Sequence, residues 1–147
     1  MKTARFKLYH SAGLRSARVK WLLHELVGDD FNVEYVDIYG AEQYGSRYLA
    51  INPNHCVPTL EITMENGNSM NMIESTAMIA LLADAFPEKG LAPPAGEFSL
   101  RRADYLQILH FGVDGYDAVA DPDPRTRAAG AGKRRTDRPT VHEEIRQ

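Results

Sequence analysis

Between residues 5 and 86 the spacing of apolar residues changes period repeatedly, and the order of those changes leaves few architectures open. Arg5 to Tyr9 is short, with Phe6 and Leu8 on one face, as in a strand. Ser11-Ala12-Gly13 breaks that pattern. From Ser16, the residues Val19, Leu22, Leu23 and Leu26 recur at helical spacing up to Gly28, which predicts an amphipathic helix. Phe31 to Ile38 alternates at period two, a second strand. Ala41 to Ile51 reads as a short polar helix stopped before Pro53. Val57 to Thr63 and Ser69 to Ile73 read as two further strands, joined through Glu65-Asn66-Gly67-Asn68, where the Asn-Gly pair suits a tight hairpin. Glu74 to Phe86 is rich in Ala, Met, Leu and Ile and predicts a helix closed by Pro87.

A right-handed crossover makes the first two strands parallel, and the hairpin completes a four-stranded mixed sheet. The expected class is therefore α/β, with the thioredoxin-like order βαβαββα over residues 1–86. Residues 87–98, with Gly90, Pro93, Pro94 and Gly96, read as a linker. Ser99 is placed to cap a further helix over 99–115, with Leu100, Ala103, Leu106, Ile108, Leu109 and Phe111 as its apolar positions. Beyond it the composition shifts. Asp121-Pro122-Asp123-Pro124 cannot continue a helix, and Val141 and Ile145 are the only Val, Ile or Leu from Asp121 to Gln147. Such a segment cannot offset its ordering entropy, so 116–147 is expected to be disordered.

Composition excludes several functions. One cysteine in 147 residues rules out an internal disulfide framework and a multi-cysteine metal site, and no metal ligand is assigned. A net charge of −3 gives no footprint for nucleic acid, and Lys133-Arg134-Arg135 is a short run in a tail that also carries Asp137, Glu143 and Glu144. No apolar run approaches the roughly 20 residues that cross a bilayer, and the first residues do not form a signal peptide. The expectation is a cytoplasmic protein that binds neither nucleic acid nor membrane.

Four segments then point to a family. Asn52-Pro53-Asn54-His55-Cys56-Val57-Pro58-Thr59-Leu60 resembles the Asn-Pro-x-Gly-x-Val-Pro-x-Leu motif of glutathione S-transferases. Sixteen residues after Pro58, Glu74-Ser75-Thr76-Ala77-Met78-Ile79 resembles their Glu-Ser-x-Ala-Ile motif. Leu8 to Leu23 is similar to the first strand, active-site loop and first helix of bacterial members, and Gly90-Leu91-Ala92-Pro93-Pro94 to the linker that follows. The resemblance covers about residues 5–112, in the right order and spacing.

What the resemblance implies is specific. Glutathione is a cosubstrate, with no separate cofactor, and its thiolate attacks a small electrophile. A cis Val57-Pro58 bond turns the Val57 backbone toward the ligand, where its N–H and C=O pair with the cysteinyl backbone as an added strand. Glu74 takes the ligand's ammonium, and Ser75 with the free N–H groups of its helix end takes the γ-glutamyl carboxylate. A hydroxyl beside the sulfur activates the thiol. Ser16 is the first candidate for it, at the start of the first helix, with Ser11 and Tyr9 as alternatives.

Two positions depart from the motif. His55 stands for its Gly, and Cys56 for the Lys or Gln that holds the glycyl carboxylate. His55 is a candidate to restore positive charge there, and Cys56 to form a mixed disulfide with glutathione.

Complete members carry a long helical second domain that builds the electrophile pocket and much of a homodimer interface. Only its first helix is recognisable here. Suitable synonymous codons for Tyr116 to Gly130, read one base later, spell an apolar string at helical spacing. A one-nucleotide frameshift near Asp114 to Tyr116 is therefore the expected origin of the tail, an idea that an intact open frame on resequencing would sink. The function expected is glutathione transfer. The alternatives are a non-catalytic glutathione-binding or protein-interaction module and a Cys56-dependent thiol–disulfide exchanger.

Overall fold

The computed structural model describes residues 4–117 of the chain. The chain divides into two units, Met1–His110 and Phe111–Gln147, and the fold below belongs to the first.

Strand β1 (Ala4–His10) lies at the centre of a four-stranded sheet of order β2-β1-β3-β4. β2 (Asn32–Tyr35) runs parallel to it, with Lys7 opposite Asn32 and His10 opposite Tyr35. β3 (Thr59–Met64) is antiparallel to β1, and β4 (Ser69–Met72) antiparallel to β3. Helix α1 (Ser16–Val27) connects the parallel pair, and α3 (Ser75–Ala85) follows the hairpin. Between β2 and β3 come a 3-10 turn (Glu42–Tyr44) and the single-turn helix α2 (Ser46–Leu49). This mixed sheet with its helices is the thioredoxin-like α/β fold.

Alternation decides which side chains meet. Phe6 and Leu8 of β1 share a face with Leu60 and Ile62 of β3, and α1 and α3 cover that face with Val19, Leu23, Leu26, Met78 and Leu82. Burying side chains of this size is worth about 1.5–3 kcal/mol each, the term that holds the sheet to its helices. Tyr9 points to the opposite face, where it meets Tyr48 of α2 edge-on with ring centres 5.9 Å apart, beside Val36 and Val57.

Three local expectations are refined. The alternation from 31 to 38 predicts a longer strand than forms, because the Glu42 carboxylate captures the Asp37 N–H at 2.8 Å and Ile38 N–H bonds back to the Val36 carbonyl. The predicted helix over 41–51 is split by Gly45, whose φ of −68° and ψ of 145° are extended. The hairpin closes through the Met64–Asn68 pair, with Gly67 alone of the loop at positive φ, +84°, and Asn66 Oδ1 accepting the Asn68 N–H at 3.0 Å, so both residues of the Asn-Gly pair shape the turn.

The linker segment contains a 3-10 turn, Pro87–Lys89, and α4 spans Leu100–Asp117. Ser99 Oγ accepts the Arg102 N–H at 3.2 Å, which caps the helix as its position predicts. Within the first unit, the Arg102 guanidinium forks onto both carboxylate oxygens of Asp84 on α3 at 2.7 and 2.8 Å and also donates to the Pro93 carbonyl. The expected tail lies, from residue 118, outside the described residues. Among the described residues no helix is long and apolar enough to cross a membrane.

Candidate functional site

The strand registers bring the predicted residues to one end of the sheet. Tyr9 is opposite Thr59, the last pair of the β1–β3 ladder, so His10 and Ser11 follow at the sheet end where Val57-Pro58 leads into β3. Leu60 is opposite Met72, the last pair of the β3–β4 ladder, so Ile73 and Glu74 lead into α3 from that same end. Val57-Pro58, the loop that leaves β1 and the start of α3 thus share one end of the sheet. Its peptide bond is cis.

Val57 itself, two residues before β3 and outside its ladders, presents an open backbone edge. Its side chain is buried among Tyr9, Tyr48 and Val36, yet neither its N–H nor its C=O has a hydrogen-bond partner among the described residues. Unpaired backbone groups beside a sheet are a template for an extended peptide.

The residues just before it are held from below. Asn52, Tyr48 and Thr59 are fully buried. The Cys56 carbonyl accepts from the Tyr48 hydroxyl at 2.7 Å and from Asn52 Nδ2 at 2.9 Å. Asn52 Nδ2 also donates to Thr59 Oγ1 at 3.0 Å, and Asn52 Oδ1 accepts the Asn54 N–H at 2.9 Å. Since the Tyr48 proton goes to Cys56, the 3.0 Å contact between Tyr48 and Thr59 has Thr59 as its donor. Every group of the cluster is then satisfied, and burial pushes the Tyr48 phenol up. His55 is exposed at φ +46°, its ring 4.9 Å from that of Tyr44, and the Cys56 thiol is exposed.

On the β4 side, Glu74 is exposed and held at φ +73°, a region that a residue with a Cβ rarely adopts. Ser75 is buried as the first residue of α3, and no side chain caps the helix. The first α3 amide bonded to the backbone is that of Met78, to the Glu74 carbonyl, so the amides of Ser75, Thr76 and Ala77 have no partner among the described residues. Such a helix end favours an anion.

The three candidate hydroxyls stand in unlike surroundings. Ser16 is fully buried and its Oγ has three partners: the Ser11 N–H at 3.1 Å, the Ser11 carbonyl at 2.9 Å and His10 Nδ1 at 2.7 Å. A hydroxyl has one proton, and here it goes to the Ser11 carbonyl, so His10 Nδ1 carries a hydrogen and donates to Ser16. Burial, reinforced by the Lys20 ammonium, lowers the His10 pKa, which keeps the ring neutral. Ser16 is thus a clasp for the loop after β1, and no side chain caps α1. The Tyr9 hydroxyl points across the sheet and donates to Glu61 Oε2 at 3.3 Å. Ser11, 7% exposed, has no side-chain partner among the described residues.

Sequence reading missed Tyr48 and saw Asn52 and Thr59 only as part of a motif. A polar helix with two tyrosines, Tyr44 and Tyr48, gives no signal of which one enters a buried network. His10 was likewise invisible as a partner of Ser16, six residues on.

A family model described as the N-terminal domain of glutathione S-transferase matches residues 8–90. A glutathione transferase from Methylococcus capsulatus is 34% identical, with a TM-score of 0.58 over 72% of this chain and 49% of that one. A sphingomonad glutathione S-transferase, complexed with glutathione, is also 34% identical, with a TM-score of 0.56 over 71% and 49%. A glutathione transferase homologue from Sulfitobacter, with bound glutathione, is 30% identical, with a TM-score of 0.53 over 63% and 42%. The chain spans less than half the length of each of these three proteins.

Proposed function

The chain belongs to the glutathione S-transferase family through its N-terminal domain, and on that premise we propose that the sheet end around Val57 binds glutathione with its sulfur beside Ser11. The observation that carries this reading is the open Val57 edge, with both backbone groups unpaired, next to the uncapped start of α3. An extended tripeptide fits that pair of features. Its cysteinyl N–H and C=O pair with Val57, and its γ-glutamyl carboxylate meets the α3 amides and Ser75. Glu74 faces the ligand's ammonium. His55 and Cys56 flank the glycyl end.

Ser11 supplies the hydroxyl, because Ser16 and Tyr9 are already engaged. Its proton donated to the sulfur favours the thiolate, the nucleophilic form. In the transfer reaction the thiolate attacks a small electrophilic centre, a carbon–sulfur bond forms, and the displaced group leaves with its electron pair. The protein's contribution is to position the thiolate and lower its pKa. That activity, its electrophile and a homodimeric assembly are proposals drawn from relatives of whose length this chain matches less than half.

The test is a titration of glutathione into the full chain, followed through backbone amide resonances. Shifts at Val57 and at Ser75 to Ala77, with none at the opposite sheet end around Gly67, are expected. Shifts confined to other segments would overturn the reading.

The exposed thiol of Cys56, one residue from the Val57 edge, favours a second reading. Its thiolate attacks glutathione disulfide, and one glutathione leaves as thiolate. In Cys56→Ser this exchange should vanish while glutathione binding survives. Binding with neither transfer nor exchange would mark a non-catalytic module.

A further inference from the structure

We infer that Tyr48 and Asn52 are positioning residues, which orient the Val57 edge for an extended peptide ligand by gripping the carbonyl of the residue before it. This rests on the reading of that edge as the glutathione site.

The argument is geometric. The Cys56 carbonyl and the Val57 N–H belong to one planar peptide unit and point in opposite directions across it. Two donors, the Tyr48 hydroxyl at 2.7 Å and Asn52 Nδ2 at 2.9 Å, fill both lone pairs of that carbonyl from the protein interior. The N–H on the other side of the plane is thereby turned away from the interior, and it is unpartnered.

A single donor would leave the plane free to rock about the C=O direction. Two donors from different elements, one in α2 and one after it, fix its tilt as well. Thr59, at the start of β3, joins the same cluster through Oγ1, with Tyr48 at 3.0 Å and Asn52 at 3.0 Å. The loop from Asn52 to Thr59 is therefore clamped at both ends and at its middle, with Val57 at the unclamped surface. All three side chains are fully buried, so none of them touches the ligand. Their effect on binding passes through the orientation of one peptide plane.

The test uses the full chain and calorimetric titration with glutathione at a temperature where each variant is folded by circular dichroism. Tyr48→Phe removes one donor and Asn52→Ala removes the other. A core variant on the opposite sheet face, Ile62→Val, controls for stability alone. Tyr48→Phe is expected to weaken glutathione binding about tenfold, the loss of one hydrogen bond to a group that must stay oriented. Asn52→Ala is expected to weaken it further, and Ile62→Val to change it by less than about twofold. If Asn52→Ala does not fold, Tyr48→Phe decides.

Wild-type binding with Tyr48→Phe also within about twofold would overturn the inference and leave the site reading standing. No binding by the folded wild type would overturn the site reading, and this inference with it.

Discussion

At Ser16 the hydroxyl is saturated by His10 and by both polar groups of the Ser11 backbone, whereas the Ser11 side chain has no partner among the described residues. The two serines should therefore fail differently. Ser11→Ala is expected to lower kcat/KM for glutathione transfer on the order of a hundredfold with little change in melting temperature. Ser16→Ala orphans a buried N–H and is expected to cost about 1–3 kcal/mol of stability, read from a urea midpoint. The reverse pattern would return the activating role to Ser16.

His10 adds a pH dependence. Burial lowers its pKa, so the unfolded chain takes up a proton at higher pH than the folded one. Stability is thus full above the ordinary imidazole value and falls as pH drops from there to the depressed value. Urea midpoints measured from neutral pH to about pH 5 should decline, and decline less in His10→Asn, whose amide can still donate to Ser16. Equal slopes would contradict the assignment. The sequence showed the two serines but not which was engaged, because the discriminating partners are a histidine six residues back and a backbone carbonyl.

Among the elements, the segments that alternate or repeat cleanly were legible: β1, α1, the hairpin and α3. The stretch from Val36 to Ile51 was not. There a carboxylate takes a strand amide and an extended glycine interrupts a helix, local hydrogen-bonding events that leave no periodicity. The buried cluster beneath Val57 was hidden for the same reason, since Tyr48 sits in a helix of four residues. At the start of α3 the notable feature is backbone strain at Glu74, φ +73°. Strain of this kind collects at functional sites. Glu74→Gly is expected to stabilise the fold by about 1 kcal/mol and yet, with the carboxylate proposed to face the ammonium lost, to weaken glutathione binding about tenfold. A thermal melt and a titration check the two halves. A variant both less stable and equally tight would show that neither strain nor charge acts as described.

For the molecule as a whole, the sheet gathers three separated segments at one end because β1 and β4 both run antiparallel to β3. In the proposed reading, that convergence makes a ligand site out of motifs spaced tens of residues apart. It was legible in outline from the order of elements, while which strand ends meet needed the register. Elsewhere, Arg102 ties the first turn of α4 to α3 through Asp84. Arg102→Met should speed amide exchange in the first turns of α4 without altering exchange in β1 and β3; unchanged exchange in α4 would show the tie to be inert.

The central claim is that this chain binds glutathione at the Val57 edge. Calorimetric titration of glutathione into the full chain tests it most directly. The account predicts saturable heat with one site per chain and a Kd at or below about 1 mM, an affinity of about −4 kcal/mol or better. A folded sample that gives no heat of binding across that range would contradict it.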